Sequence, residues 1–306
     1  MSVESDNETF FSLESAMKDP SSVKKLDLHF KGLEEIPEEV FSMENLEELI
    51  LWNNDITTIS PNISKLKKLK KLELSGNKIK TLPESISELQ NLVTLIASWN
   101  KLEKLPDSIV KLTNLRRLGL NNNNLKHLPE SLGEMINLRE LVVSENDLSK
   151  LPDSLGKLVN LEKLRVPGNH LNRLPDSICE LPNLTKLEVQ ENNLEVLPEN
   201  IGNLSKLEKV RLYKNLLVTL PESFGELKRL EKAILYENEL KELPTNFGNL
   251  VELEEVDLGF NYLTYIPESF AQLKSLRKIT LTRNDFSQEE TRRIEQLVGH
   301  AVIIWD

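Results

Sequence analysis

Cysteine is almost absent from this chain, since Cys179 is the only one among 306 residues. A single thiol forms no intramolecular disulfide, and it supports neither a cysteine-based zinc site nor a CxxC redox pair. The sequence therefore predicts a protein of the reducing cytoplasm. Cys179 itself is expected to be a buried structural thiol rather than a nucleophile.

The chain also lacks long apolar runs and an excess of basic residues. No stretch approaches the roughly 18 consecutive apolar residues of a membrane span, and the first residues show no basic and then apolar leader pattern. The net charge is −11, with 49 acidic against 38 basic side chains. Because the phosphate backbone demands excess lysine and arginine, we predict neither a nucleic-acid partner nor a membrane span.

Residues that serve catalysis or metal binding are few and scattered. The four histidines, His29, His127, His170 and His300, show no HExxH pairing, and no GxxxxGK[ST] or GxGxxG loop is present. His29 alone falls on an outward strand position, where a solvated side chain is expected. We predict no enzyme activity, no catalytic residue, no metal and no cofactor; a hydrolase built on clustered carboxylates is the alternative from that class.

What the sequence does contain is a strict period of 23 residues. The unit reads LxxLxLxxNxLxxLPxxIxxLxx and fills residues 23–298 twelve times. The recurring asparagines are Asn54, Asn77, Asn100, Asn123, Asn146, Asn169, Asn192, Asn215, Asn238, Asn261 and Asn284. Such a period indicates a repeat protein whose units bury their apolar faces by stacking.

Each part of the unit predicts a local structure. In the seventh unit, Leu161, Leu164 and Val166 alternate with polar residues, which is typical of a short strand with one buried face. Asn169 follows where the chain turns, and its amide can bond to backbone groups of neighbouring turns. After Pro175 the chain returns as a short helical or irregular segment. We therefore expect one parallel strand per unit and a ladder of asparagines.

This unit resembles the 23-residue class of leucine-rich repeats. It is similar to the repeats of Ras-associated and cell-polarity scaffolds and of stand-alone cytoplasmic bacterial repeat proteins. The resemblance implies an α/β solenoid: a curved horseshoe with a parallel concave sheet and short helical or irregular segments on the convex side. The first unit departs from the pattern, because Lys31 stands in place of the ladder asparagine and leaves the geometry of that turn open.

Three phenylalanines break the aliphatic pattern in the second half of the unit. Phe224, Phe247 and Phe270 stand at one repeat position in three successive units, where other units carry Ile or Leu. Large apolar side chains at an inward position are expected to stack in the core.

The two ends are expected to cap the repeats, which occupy residues 23–298. Residues 1–22 are predicted to form an N-terminal helical cap with an apolar stripe, made of Phe10, Phe11, Leu13, Ala16 and Met17. Residues 287–306 are predicted to form a C-terminal cap that overlaps the last repeat. There, a capping box from Ser287 to Glu290 opens a helix carrying Ile294 and Leu297, and residues 301–305 form a final strand.

The outward positions of the strands carry the functional prediction. In a parallel stack, the third, fifth, seventh and eighth residues of each unit form one surface, with about 4.8 Å between neighbouring strands. Exposed apolar side chains there predict an anchor site for a partner, although high β-propensity beneath flanking lysines is the alternative. The apolar residues expected to face water in the first half are Phe30, Ile50, Trp52, Ile96 and Trp99.

Further along the chain, basic residues and tyrosines share this surface. Arg165, Arg211, Tyr213 and Tyr236 are residue types that recur at protein interfaces, and Phe260 is placed at their far rim. Basic side chains outnumber acidic ones over units seven to ten, so an acidic partner would be steered here. The alternative is that the two arginines pair with Glu188 across strands.

Together these patterns predict a non-catalytic protein–protein interaction module that binds a protein or peptide, with acidic character as one expectation, on its concave sheet. A cytoplasmic scaffold or signalling role is expected. Two alternatives stay open: an inhibitor or regulatory subunit of a signalling enzyme, and an exported surface adhesin. The N-x-S/T sequons at Asn7, Asn62, Asn183 and Asn203 would suit the adhesin.

Overall fold

The structure, a computed structural model, describes residues 9–305 and places one short strand in each repeat. Two compact units divide these residues: an N-terminal unit up to residue 147 and a C-terminal unit from residue 148. Part of the predicted N-terminal cap, residues 1–8, lies outside the described residues. Within each unit the strands run parallel and follow one another in sequence order, so the architecture is repetitive within both.

Strand bounds follow the repeat closely. In the N-terminal unit they are β1 (Thr9–Phe10), β2 (Lys25–Asp27), β3 (Glu48–Ile50), β4 (Lys71–Glu73), β5 (Thr94–Ile96), β6 (Arg117–Gly119) and β7 (Glu140–Val142). In the C-terminal unit they are β8 (Lys163–Arg165), β9 (Lys186–Glu188), β10 (Lys209–Arg211), β11 (Lys232–Ile234), β12 (Glu255–Asp257), β13 (Lys278–Thr280) and β14 (Val302–Ile304). Lys25 pairs with Glu48 and Lys209 with Lys232, so equivalent repeat positions lie side by side.

Short 3-10 helices supply the second half of the first eleven repeats and pack on those of neighbouring repeats, and one more precedes the first repeat. In the N-terminal unit they are Pro20–Ser22, Glu38–Ser42, Pro61–Lys65, Glu84–Glu88, Asp107–Lys111 and Leu132–Glu134. In the C-terminal unit they are Asp153–Lys157, Asp176–Glu180, Ile201–Asn203, Glu222–Glu226, Phe247–Asn249 and Glu268–Gln272. Parallel strands that alternate with such segments confirm the predicted fold class, a leucine-rich repeat solenoid.

The core of each unit lies between the strands and the 3-10 helices. Leu161, Leu164 and Val166 are fully buried, as the alternation predicts. Phe224, Phe247 and Phe270 are also fully buried and stack in sequence, with ring centroids 5.9 and 4.9 Å apart. Burying such rings supplies a large share of the apolar area on which stability depends.

The asparagine ladder is present, and each amide serves the turn of the repeat before its own. Asn100 Oδ1 accepts a hydrogen bond from the Ile79 N–H at 3.0 Å, and its Nδ2 donates to Leu74 O at 2.9 Å. Asn54 does the same for the first repeat, since its Oδ1 accepts from the Lys31 N–H at 2.9 Å. The first repeat has no earlier repeat to serve, so a lysine at position 31 leaves no turn unclosed.

The N-terminal cap differs from the predicted helical stripe. Phe10 belongs to strand β1, which pairs with β2, and the helix α1 covers only Leu13–Ala16. Phe11 and Met17 are exposed, while Ala16 is buried. The helix is short because Ser12 caps it and the next 3-10 segment begins at Pro20.

The C-terminal cap has the predicted elements. Helix α2 (Gln288–Val298) starts at Ser287, whose hydroxyl accepts from the Glu290 N–H at 3.1 Å. The reciprocal half of the capping box is replaced, because Glu290 Oε1 accepts from the Ile266 N–H of the eleventh repeat at 3.0 Å. Strand β14 then pairs with β13, which covers that edge of the sheet.

Candidate functional site

The side chains at repeat positions three, five, seven and eight form an outward surface on each sheet, here called the strand face of its unit. Position eight, just before the ladder asparagine, has a positive φ of 52° to 66° in all twelve repeats. This left-handed backbone turns the chain out of the sheet. Glycine and asparagine tolerate it best, because a larger side chain meets the following carbonyl.

Three aromatic residues nevertheless occupy position eight. Phe30, Trp99 and Phe260 have φ values of 52°, 56° and 53° and are 63%, 64% and 53% exposed. A left-handed conformation costs a bulky residue about 1 kcal/mol or more, and exposure denies the ring the gain from burial. This combination favours contact with a partner over a packing role.

His29, Phe30 and Trp52 form an aromatic cluster on the N-terminal strand face. The His29 ring stacks on Trp52 with centroids 4.8 Å apart, and Phe30 meets Trp52 edge-on at 4.7 Å. Asp27 Oδ1 lies 2.6 Å from His29 Nδ1 and fixes the orientation of the imidazole. His29 is thus held by neighbours on two adjacent strands, and its side chain remains 36% exposed.

The expectation that Ile50 faces water is wrong, since this residue is only 8% exposed. Ile50 forms the floor of a depression lined by Asp27, Trp52, Lys71 and Glu73. These longer side chains stand on neighbouring positions about 4.8 Å away and cover it. Ile50 therefore lines the same depression as Trp52 of the aromatic cluster.

Trp99 stands apart from the aromatic cluster, on a part of the N-terminal face that has little charge. Its neighbours at position eight are Gly76 and Asn122, and the nearby strand residue Ile96 is half-buried. Apart from Glu73, the surrounding positions five, seven and eight hold uncharged residues: Ser75, Gly76, Ile96, Ser98, Gly119, Asn121 and Asn122. Trp99 is thus a single large ring among mostly uncharged neighbours.

The C-terminal strand face carries a three-residue ion pair at position five. Glu188 Oε2 lies 3.2 Å from Arg165 Nε, and Glu188 Oε1 lies 3.2 Å from Arg211 Nη1. The alternative that these arginines pair across strands is therefore confirmed. They remain partly exposed, so pairing fixes their positions without removing them from the surface.

Beside this ion pair, Tyr213 and Tyr236 stack at position seven with centroids 4.5 Å apart and planes 8° from parallel. Burial raises the pKa of Tyr236, and the neighbouring Tyr213 adds to the effect. Stacking holds both rings rigidly, which lowers the entropy lost when a partner covers them.

Phe260 lies at the far end of the C-terminal face, in a small depression shared with Tyr236, Glu237 and Asp257. Burial raises the pKa of Asp257, while a hydrogen bond from the Gly259 N–H at 3.1 Å opposes the shift. Asp257 stands at position five of the same repeat as Phe260 and borders it on this face, as the spacing in the sequence predicts.

Groups for catalysis do not converge on either face. Cys179 is buried, and desolvation raises the pKa of its thiol to about 11, as expected for a structural cysteine. Within residues 9–305, no three His, Cys, Asp or Glu side chains are grouped to hold a metal ion. Over the same part of the chain, no helix is both long enough and apolar enough to cross a bilayer.

Models of leucine-rich repeat families match most of the chain. A profile described as a leucine-rich repeat region matches residues 60–147 and 126–216. A leucine rich repeat profile matches residues 234–286, and a BspA type leucine rich repeat region profile of six copies matches residues 11–92. Comparison with curated proteins gave no match.

Solved structures are similar over nearly the whole chain. The plant peptide hormone receptor RGFR1, in complex with RGF2, is 29% identical with a TM-score of 0.76, covering 91% of this chain and 50% of the receptor chain. A TDR receptor is 28% identical with a TM-score of 0.80, covering 91% and 51%. The Leptospira interrogans LRR protein LIC12759 is 28% identical with a TM-score of 0.49, covering 97% and 99%. This chain thus spans about half the length of the two receptors.

Proposed function

Because this chain belongs to the leucine-rich repeat family, we propose that it is a non-catalytic module that binds a protein or peptide partner on its strand faces. The fold is commonly a protein-interaction module. Function must still be argued from the site, since one fold hosts many activities.

The observation that carries the proposal is the exposed aromatic residues at the left-handed position. Phe30 and Trp99 are more than 60% exposed in a backbone conformation that disfavours them. The fold gains nothing from a tryptophan at this place, where glycine stands in the preceding repeat at Gly76. A partner that covers these rings supplies the missing burial.

The partly similar receptor RGFR1, solved in complex with RGF2, supports this proposal. The share of that receptor that matches is a repeat array like the present one. A rigid stack presents its side chains without an ordering cost, so a few well-placed residues can bind with useful affinity.

The finer features of the proposal concern the partner and its surroundings. The arginines and tyrosines of the C-terminal face fit a partner with acidic groups, held as a scaffold or signalling contact. The overall negative charge argues against nucleic acid. The buried free thiol of Cys179 suits a reducing compartment such as the cytoplasm.

The test is a capture experiment with a single aromatic substitution. Tagged wild-type protein and its Trp99→Ala variant are incubated with source-cell lysate, the retained proteins are identified by mass spectrometry, and each candidate is purified and titrated. We expect a direct binder whose affinity falls at least about tenfold with Trp99→Ala, as for a buried aromatic anchor. The unfolding midpoint should stay nearly unchanged, because Trp99 is exposed.

Phe11→Ala is the matched control. Phe11 is also exposed but lies outside the strand face, before helix α1. Loss of the binder with Trp99→Ala and retention with Phe11→Ala support the proposal. Equal binding by all three proteins would place the binding surface elsewhere and contradict it.

A further inference from the structure

The third repeat position of the C-terminal unit holds a run of lysines. Lys163, Lys186, Lys209 and Lys232 lie on β8, β9, β10 and β11, and each is the direct parallel partner of the next. We call this run the lysine column. At a strand spacing of about 4.8 Å it is about 14 Å long, and its side chains are half-buried with their ends at the surface.

Ion pairs on the strand faces join residues at the same repeat position, as Lys25 and Glu48 do at 3.2 Å. In the lysine column only the last member follows this rule, because Lys232 meets Glu255 at 2.5 Å. Within residues 9–305, the first three lysines of the column form no ion pair. They therefore present three uncompensated charges in a row.

Acidic residues flank the column at position two, where Glu162, Glu208 and Glu231 stand. Within the described part of the chain, no ion pair joins Glu208 or Glu231 to the lysine column. The carboxylates of Glu208 and Glu231 thus lie beside the lysine column without pairing with its ammonium groups. An anion from a partner can therefore still bind these ammonium groups.

Like charges directly opposite each other on adjacent strands destabilise a sheet. At the same repeat position the N-terminal unit avoids this cost, since Lys25, Glu48 and Lys71 alternate in sign across β2, β3 and β4. The lysine column breaks a local rule that the same fold obeys elsewhere. Such departures mark functional sites, where stability is given up for binding.

We propose that the lysine column binds an extended segment of the partner protein with acidic side chains at alternating positions. This deepens the function proposed above and rests on it. An extended chain rises about 3.3 Å per residue, so every second side chain faces the same way about 6.6 Å apart. Three carboxylates then span the column and each lies close to one or two ammonium groups.

A protein segment suits this face better than a nucleic acid does. Glu188, Glu191 and Glu237 lie on the same strand face, and a single nucleic-acid strand carries a charge about every 3.4 Å. Such a regular polyanion would meet these carboxylates as well as the lysines. A peptide can place neutral residues opposite them, so its charge follows the column alone.

The test uses a fluorescein-labelled peptide of alternating serine and glutamate with three glutamates, titrated by fluorescence anisotropy at low ionic strength. We expect the full-length protein to bind it, with affinity falling as salt is added. Lys186→Glu should weaken binding at least about tenfold, because the substitution reverses the charge at the middle of the column. The same variant should unfold at an equal or higher denaturant concentration, since it restores alternating signs.

Lys157→Glu is the matched control, because it makes the same charge change on an exposed 3-10 helix residue of the same unit. It should change the affinity less than about twofold. A peptide with glutamine in place of glutamate should not bind.

The proposal is overturned if the wild-type protein does not bind the glutamate peptide, or if Lys186→Glu and Lys157→Glu weaken it equally. It is also overturned if an oligothymidylate binds more tightly than the peptide and loses affinity with Lys186→Glu. None of these results bears on Trp99, so the proposed function stands or falls by its own capture experiment.

Discussion

The two strand faces have the same repeated backbone conformation, but their outward side chains are of different kinds. The N-terminal face has an aromatic cluster and mostly uncharged residues around Trp99, while the C-terminal face has the lysine column and an arginine–glutamate–arginine ion pair. The ladder and the left-handed position eight are the same in both. Inward positions thus determine the fold, and outward positions are free to diverge.

The largest expected effect on the free energy of unfolding comes from substitutions in the cores of the two units. Phe247 is stacked between Phe224 and Phe270, whereas the corresponding position in the N-terminal unit holds Ile86. Phe247→Ala should lower the free energy of unfolding by about 4 kcal/mol and Ile86→Ala by about 3 kcal/mol, because a larger buried group leaves a larger cavity. Chemical denaturation measures both, and equal losses would show that the phenylalanine stack adds nothing to ordinary packing.

The next effect tests what the two units have in common. Asn100→Leu and Asn192→Leu each remove a buried amide that bonds to backbone groups of two repeats. Each should cost about 3 kcal/mol, because buried carbonyl and N–H groups lose their partners.

Asn114→Leu is the control for the ladder, since this asparagine makes an exposed bond to Gln90 O and its loss should cost less than about 1 kcal/mol. Denaturant titration at one temperature measures the free energy of unfolding of each variant. A clear difference between Asn100→Leu and Asn192→Leu would break the claim that the ladder supports both units alike.

A smaller effect depends on pH and distinguishes Cys179 from Val110, a buried residue at the same position in the N-terminal unit. The thiol pKa rises from 9.0 to about 11 on folding, so the folded state holds its proton more tightly. Above pH 9 the unfolded state loses that proton first, and stability falls as the pH rises. Relative to Cys179→Val, the wild-type protein should lose about 1 kcal/mol between pH 8 and pH 10.

The smallest effect compares ion pairs. Glu188→Gln removes the carboxylate shared by Arg165 and Arg211 and should cost about 1 kcal/mol, while Glu48→Gln removes a single contact with Lys25 and should cost about 0.3 kcal/mol. Both losses should shrink in high salt. Thermal unfolding at two salt concentrations measures both losses. A larger loss for Glu48→Gln would contradict the prediction that the ion pair of Glu188 contributes more stability than that of Glu48.

The repeat pattern was sufficient to predict the fold. The spacing of leucine and asparagine predicts strands, core and ladder because each position has a single backbone role that recurs in every unit. The stacked core phenylalanines and the Ser287 cap followed from the same logic. Strand β1 was missed because two residues are too few to show an alternation.

The strand faces could be predicted less completely, because the surroundings of an outward side chain come from adjacent strands that lie 23 residues away. Ile50 was expected in water and is covered by longer neighbours. His29 was expected in solvent and is partly exposed, but its ring also stacks on Trp52. Comparing equivalent repeat positions in the sequence predicted that Trp99 is exposed, but it did not predict which side chains contact each other.

The ladder has a direction, and this direction bears on synthesis. Each asparagine closes the turn of the repeat that precedes it, as Asn123 does when its Oδ1 accepts from the Leu102 N–H. A repeat leaving the ribosome therefore keeps open backbone groups until 23 more residues have emerged. During synthesis, each repeat should therefore fold only after the following repeat has emerged. A pause in translation should disturb folding least when a ladder asparagine has just left the exit tunnel.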